Sequence, residues 1–154
     1  MILPIITYPD SILTKKTEEV ADFNDPEIRR LALDMLETLD AVNGLGLAAP
    51  QIGRSLRICV IKYDGKSYVL INPKFKSKSL RKDILEEGCL SFPGMFFPVK
   101  RHKKAKVEAI DQHGKKITIQ AEGMLARALQ HEIDHLDGVL FISRNKSYKK
   151  IPTK

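Results

Sequence analysis

Residues 130–138 read QHEIDHLDG, and no other segment restricts the fold as much. Residues four apart on a helix share one face, so His131 and His135 can offer both imidazoles to one metal ion. Glu132 is turned by about 100° from His131, near enough to reach a water on that ion and badly placed to be a ligand. The neighbouring Met124, Leu125, Ala128, Leu129 and Leu136 give the helix an apolar pattern. A surface helix with incidental histidines is the plainer alternative. Against it, two imidazoles and a carboxylate on a half-buried helix are costly without a partner. The fold must therefore carry this helix inward and supply a further ligand.

In the zinc peptidases that share the motif, the third ligand follows downstream, as a glutamate or a histidine. Here the chain after Gly138 reads VLFISRNKSYKKIPTK, with no His, Asp, Glu or Cys. Those layouts are excluded, and the ligand comes from upstream: Cys59, Cys89, His102, His113 or a carboxylate. Cys89 lies in EEGCLSFPG (86–94), where Gly88 permits close backbone approach. Cys59 sits in RICVI, where alternation suggests a buried strand position. A Cys/His/His set leaves the fourth tetrahedral position open to water, the pattern of a catalytic site. Closing the site with Cys59, Cys89, His131 and His135 together would be structural, and would leave Glu132 without a role.

The length of 154 residues suits one catalytic domain, 1–154, with a short basic tail over 143–154. No uncharged apolar run approaches the ~18 residues of a membrane span. The start, MILPIITYPD, has no basic n-region or cleavage site, so no signal peptide is expected. Two cysteines without an export signal argue against a disulfide framework and for a reducing cytoplasm. Lys and Arg number 26 against 19 Asp and Glu, a net charge of +7. The excess falls in KFKSKSLRK (74–82), KRHKK (100–104) and RNKSYKK (144–150). Such runs suit ribosomes, nucleic acid or anionic surfaces, or simply a solvated basic exterior. No aromatic-rich RNA-binding signature accompanies them, so sequence-specific nucleic-acid binding is not expected.

The stretch 25–43 predicts a helix: Asp25 can cap it, Pro26 suits its first position, and Ile28, Leu31, Met35, Leu39 and Val42 form one apolar face. Strand-like runs follow at 56–61, 67–71, 105–110 and 116–121, with turn chemistry at Asp64-Gly65 and His113-Gly114. The motif helix spans about 123–136. The expected class is α+β, mainly antiparallel sheets packed around a central helix carrying His-Glu-x-x-His.

GLGLAAPQIG (44–53) fits a dinucleotide fingerprint only formally, because it follows a helix instead of a strand. It suits a backbone rim against which an extended peptide can pair, with Gln51 donating to a developing oxyanion. Taken together and in this order, GLGLAAPQIG, EEGCLSFPG and QHEIDH resemble the three signature segments of peptide deformylases. The resemblance runs from the N-terminal ILPIITYPD through residue 141. It implies removal of the formyl group from formyl-Met nascent peptides, with Fe(II) as the working metal and Zn(II) or Ni(II) able to occupy the site. Carried over by residue, it implies Cys89, His131 and His135 as ligands and Glu132 as general base and acid. Gln51 and the Leu90 N–H become the oxyanion donors, and Gly46 a peptide main-chain contact.

Gly44, Leu45, Gly46, Glu87, Gly88, Met124, Arg127 and Ala128 are expected around the substrate. Leu45, Met124, Leu125 and Ala128 are candidates for a methionine slot, ordinary core packing being the alternative for Leu125 and Leu129. Arg127 is expected at the slot mouth or in solvent. Glu87 and Arg101 are expected to pair and brace the Cys89 segment. Phe96 stands where some family members carry an arginine that grips the peptide. Many relatives continue into a long C-terminal helix that docks on the ribosome. Pro152 discourages one here, which leaves ribosome contact to the basic runs. A metallopeptidase with the same water chemistry, or a basic metal-stabilised ribosome-binding module, are the alternative functions.

Overall fold

The computed structural model describes residues 1–145. Most of the 144–150 basic run, and Pro152, lie outside the described residues. Helix α1 spans Pro26–Ala41, capped by the Asp25 side chain, which accepts from the Glu27 N–H at 2.9 Å. Strands β1 (Gly46–Ala48), β2 (Ile58–Tyr63) and β3 (Lys66–Lys78) follow. Then come β4 (Lys82–Cys89), β5 (Phe92–His102), β6 (Lys104–Ile110), β7 (Lys116–Glu122) and helix α2 (Gly123–Leu136). Five strands form one antiparallel sheet in the order β1-β2-β3-β6-β7, while β4 and β5 make a separate hairpin.

Period-2 alternation explains why β2 reads as an unbroken apolar run: both its faces are buried. Cys59 and Ile61 face α2, joined by Leu70, Val107, Leu129 and Ile133. Ile58 and Val60 face the other way, onto Ile28, Leu31, Met35 and Leu39 of α1. The sheet is thus sandwiched between helices, and α2 is almost wholly buried from Ala126 to Leu136. The expected α+β architecture around a central motif helix is what the chain adopts.

Two expectations change. The 44–53 segment is not all loop: Gly46–Ala48 joins the sheet edge and Ala49–Ile52 forms a 3₁₀ turn. The strand expected at 67–71 runs on to Lys78, because register shifts on either side of Lys74 let it pass Asn72-Pro73 and keep pairing with β6. The Asn72 side chain accepts from the Val20 N–H and donates to the Val20 carbonyl, which holds the bend.

A third cluster seats the β4–β5 hairpin. Phe92, Phe97 and Val99 pack with Leu13, Leu140, Phe141 and Ile142. At the end of α2, Gly138 has φ 73° and lies so close to Thr14 that a Cβ would stand 2.6 Å from its carbonyl oxygen. The last turn of the helix is held there: Arg57 donates to the Leu136 carbonyl and pairs with Asp137.

Candidate active site

Two elements converge on one point. The β4–β5 hairpin delivers Cys89 at the end of β4, and α2 delivers His131 and His135 from successive turns. Their ligating atoms all lie within 4.8 Å of one another, with Cys89 Sγ 3.2 Å from His135 Nε2. The other upstream candidates do not join them. Cys59 is fully buried in the sheet core, where burial pushes its thiol well up. His102 Nδ1 lies 2.6 Å from the Ser79 carbonyl, and His113 is in an exposed turn.

His131 is oriented from behind. Its Nδ1 meets Glu87 Oε1 at 2.9 Å, leaving Nε2 toward the sulfur. Glu87 is gripped in turn by Arg101 through Nε (2.9 Å) and Nη2 (3.0 Å), and by Arg127 at 2.6 Å. The expected brace between Glu87 and Arg101 is present. Burial alone would raise the Glu87 carboxyl, but the hydrogen bonds of His131 and Arg101 hold it well below the usual carboxylate range. Asp134 takes Arg101 Nη1 at 2.5 Å and both arms of Arg144.

Glu132 points the other way, into the cleft, against Gly46. A Cβ on Gly46 would collide with the Glu132 carboxylate. Burial pushes this carboxyl up to about 7, against the pull of His131. Its Oε1 is buried with no hydrogen-bond partner among the described residues, as is His135 Nδ1. Burial disfavours charge on His131, yet the Cys89 sulfur, Glu132 and Glu87 push it up to about 10. Burial, with the charges of His131 and Arg101, holds His135 well below its ordinary value. A thiol, two imidazoles and an unpartnered carboxylate oxygen in one buried cluster fit a divalent transition metal with a water beside it.

Gln51 is fixed from both ends of its amide. Oε1 accepts from the Ala48 N–H at 2.9 Å, and Nε2 donates to Ser91 Oγ at 3.1 Å, 3.6 Å from Cys89 Sγ. Ser91, buried and donating to the Ile6 carbonyl at 2.6 Å, is a support that sequence reasoning missed. Asp134 was missed too, although an acidic residue in the buried stretch of a motif helix was a readable signal.

A cleft of about 450 Å³ opens onto these groups. Every residue assigned to the site from sequence lines it except Leu125 and the buried His135, and Val42, Asn43, Glu86 and Phe96 join the lining. Three assignments need correcting. Arg127 points neither to the slot mouth nor to solvent: it is 3% exposed, and its guanidinium pairs with Glu87 and Asp83 and donates to the Val99 and Asp83 carbonyls. The Glu87 carboxylate is likewise spent on Arg101, Arg127 and His131, because an anion buried there requires cationic partners. Leu125 packs against the sheet core with Leu129 and does not line the cleft.

A sulfur and two imidazoles beside a buried carboxylate, set at the bottom of an open cleft between two strand edges, are the arrangement of a metal-dependent hydrolase. The profile of the polypeptide deformylase family matches residues 2–151. The chain is 44% identical to a peptide deformylase of Thermodesulfovibrio yellowstonii, covering 97% of this chain and 92% of that one. It is 52% identical to peptide deformylase 1 of Clostridium perfringens, covering 86% and 90%. The Ehrlichia chaffeensis peptide deformylase in complex with actinonin superposes with a TM-score of 0.91 at 43% identity, over 97% and 91% of the two chains. The Thermotoga maritima enzyme gives 0.91 at 36%, over 95% and 99%. The chain belongs to the polypeptide deformylase family, and it is an enzyme that removes the formyl group from formylated nascent polypeptides.

Proposed function

We propose that Cys89, His131 and His135 hold one divalent ion, with Fe(II) the native metal and Zn(II) or Ni(II) able to replace it, in a single catalytic domain. The observation that carries this reading is the approach of one sulfur and two ring nitrogens to within 4.8 Å of one another, beside a buried carboxylate oxygen without a partner. An ion held there supplies Lewis-acid polarisation and makes a water acidic enough to attack near neutral pH.

The chain's own residues supply the rest. Glu132 takes a proton from the water that attacks the formyl carbon. The Gln51 amide and the Leu90 N–H donate to the oxygen on which charge develops. As the carbon–nitrogen bond breaks, Glu132 passes the proton to the departing methionine nitrogen, and formate leaves. The peptide lies between two strand edges that are unpaired among the described residues: β1 is the outermost strand of its sheet, and β4 pairs with β5 on its other side. Gly44, Leu45 and Gly46 form one rim, Glu86, Glu87 and Gly88 the other. Met124, Ala128 and the stem of Arg127 line an apolar slot for the methionine side chain.

Formate release from a formyl-Met peptide, measured anaerobically with Fe(II) and with Zn(II), tests the reading. Release with Fe(II), lost in a metal-loaded Glu132→Ala variant, supports it. No release from folded, metal-loaded protein overturns it. Cleavage of an unformylated internal bond would favour a metallopeptidase, and full function of Glu132→Ala a metal-stabilised ribosome-binding module.

A reduced thiolate ligand suits the cytoplasm. Ribosome contact through the basic runs belongs to the same reading. Lys82 pairs with His102 across the β4–β5 hairpin, and the Lys103 N–H reaches the Arg81 carbonyl at 3.0 Å, so the runs at 74–82 and 100–104 meet. Lys→Glu at positions 82, 100 and 103 is expected to weaken ribosome binding at low salt, and unchanged affinity would refute that contact.

A further inference from the structure

A second, smaller cavity, of about 80 Å³, shares no lining residue with the catalytic cleft. Five cations line it: Lys78 from the end of β3, Lys82 from the start of β4, Lys100 and Arg101 from the end of β5, and Arg144 beyond α2. One carboxylate, Asp134, lies among them, and both its oxygens are already taken. Arg101 Nη1 donates to Oδ2 at 2.5 Å and Arg144 Nη2 to Oδ1 at 2.8 Å. Lys78, Lys82 and Lys100 have no ion pair among the described residues. Lys78 is laid over the Phe75 ring instead, 4.4 Å from its centroid. Arg101 is buried, and beyond the three bonds it gives Glu87 and Asp134 its guanidinium has further N–H groups that no described residue takes up.

Like charges gathered around so small a space repel one another, and an anion between them relieves the repulsion. A volume of about 80 Å³ is room for a few waters at ~30 Å³ each, and so for one tetrahedral oxyanion; it is too small for a nucleoside. Lysine ammonium and arginine guanidinium groups brought together are the donors that phosphate oxygens accept from. We propose that this cavity binds one phosphoryl group, with the exposed Lys82 and Lys100 at its mouth and the buried Arg101 within. Free phosphate and the phosphodiester of an RNA backbone present the same oxygens to such a site. The cavity takes no part in deformylation, so the failure of this proposal leaves that reading untouched.

The test is calorimetric titration of the metal-loaded enzyme with inorganic phosphate, at an ionic strength held constant with chloride. One phosphate per chain is expected to bind, and Lys82→Gln together with Lys100→Gln to weaken it by roughly tenfold, as suits the loss of two partly exposed ion pairs. Removing two charges elsewhere, by Lys15→Gln with Lys16→Gln at exposed positions outside the cavity, leaves the affinity in place. No phosphate binding to the unaltered protein overturns the proposal. So does binding that survives the change at 82 and 100, which puts the anion on the metal, and binding that falls equally with the change at 15 and 16, which reads only net charge. Displacement of the bound phosphate by a short oligouridylate without terminal phosphates assigns the site to an RNA backbone. Phosphate that stays bound against the oligonucleotide assigns it to the free ion.

Discussion

Glu132 reaches the cleft past a residue with no side chain. Gly46 supplies the space, and any Cβ would displace the carboxylate. Gly46→Ala is therefore expected to leave metal content unchanged while lowering turnover by ~10²-fold or more, the range of a lost acid–base group. Metal analysis and formate release on one preparation check both halves. Behind the metal site, Glu87→Gln keeps the shape of the side chain and removes its charge. Loss of a residue that orients a ligating histidine costs about 10- to 100-fold in metal affinity, measurable by competition with a chelator.

The same residue carries a pH signature in the metal-free protein. A carboxyl lowered by folding contributes stability above its unfolded value, and that stability is lost as pH falls through the folded one. His131, raised to about 10, does the opposite: its contribution is full below about 6.5 and is lost as pH rises through about 10. Denaturant midpoints of the metal-free protein should therefore fall below pH ~4.5 and again on the alkaline side, with the acid limb flattened in Glu87→Gln. At this scale the cluster of Cys89, His131 and His135 was legible in part: a His-Glu-x-x-His helix without a downstream donor points to an upstream one among several candidates, and the family resemblance singled out Cys89. The burial of Arg127 was not. Nothing in a local window says that a cation on the motif helix will face a buried carboxylate 40 residues away.

At the scale of elements, both helices were legible. α1 announces itself through Asp25, Pro26 and its apolar face, α2 through its motif and the glycine at its start. The β4–β5 hairpin was not. Its outward positions mix Ile84, Glu86, Phe96, Pro98 and Lys100, and its inward ones include Glu87 and Arg101 among Phe97 and Val99. No apolar alternation survives where a strand buries charges against charges. The hairpin is instead clasped to α2 by polar pairs, Arg127 to Asp83 and Glu87, and Arg101 to Asp134. Arg127→Leu would take one of three cationic partners from the buried Glu87 and the partner of the half-exposed Asp83, and is expected to cost about 1–3 kcal/mol, less than the loss of the sole partner of a buried charge. Leu129→Ala, a cavity on the apolar side of the same helix, should cost about 2–5 kcal/mol. Urea unfolding distinguishes them: only the Arg127 loss should be accompanied by weakened metal retention.

For the whole molecule, an ion held by Cys89, His131 and His135 would also be a staple. It would join the hairpin to the helix, so its binding would be coupled to the folded state. At a free concentration a thousandfold above Kd it adds about 4 kcal/mol. At ~2–4 °C per kcal/mol for a chain of this size, chelation should lower Tm by roughly 8–16 °C. A scan with and without chelator, before and after adding Fe(II), reads this shift, and an unchanged Tm would contradict the coupling.

The sulfur and the second imidazole stand 46 positions apart along the chain. Translation at ~5–20 residues per second makes the thiol roughly 2–9 s before His135 exists. A newborn molecule of this enzyme thus carries a bare, oxidisable cysteine through an interval in which no centre can form. A metal ion held by these groups can enter only after His135 has been made and the hairpin has met the helix.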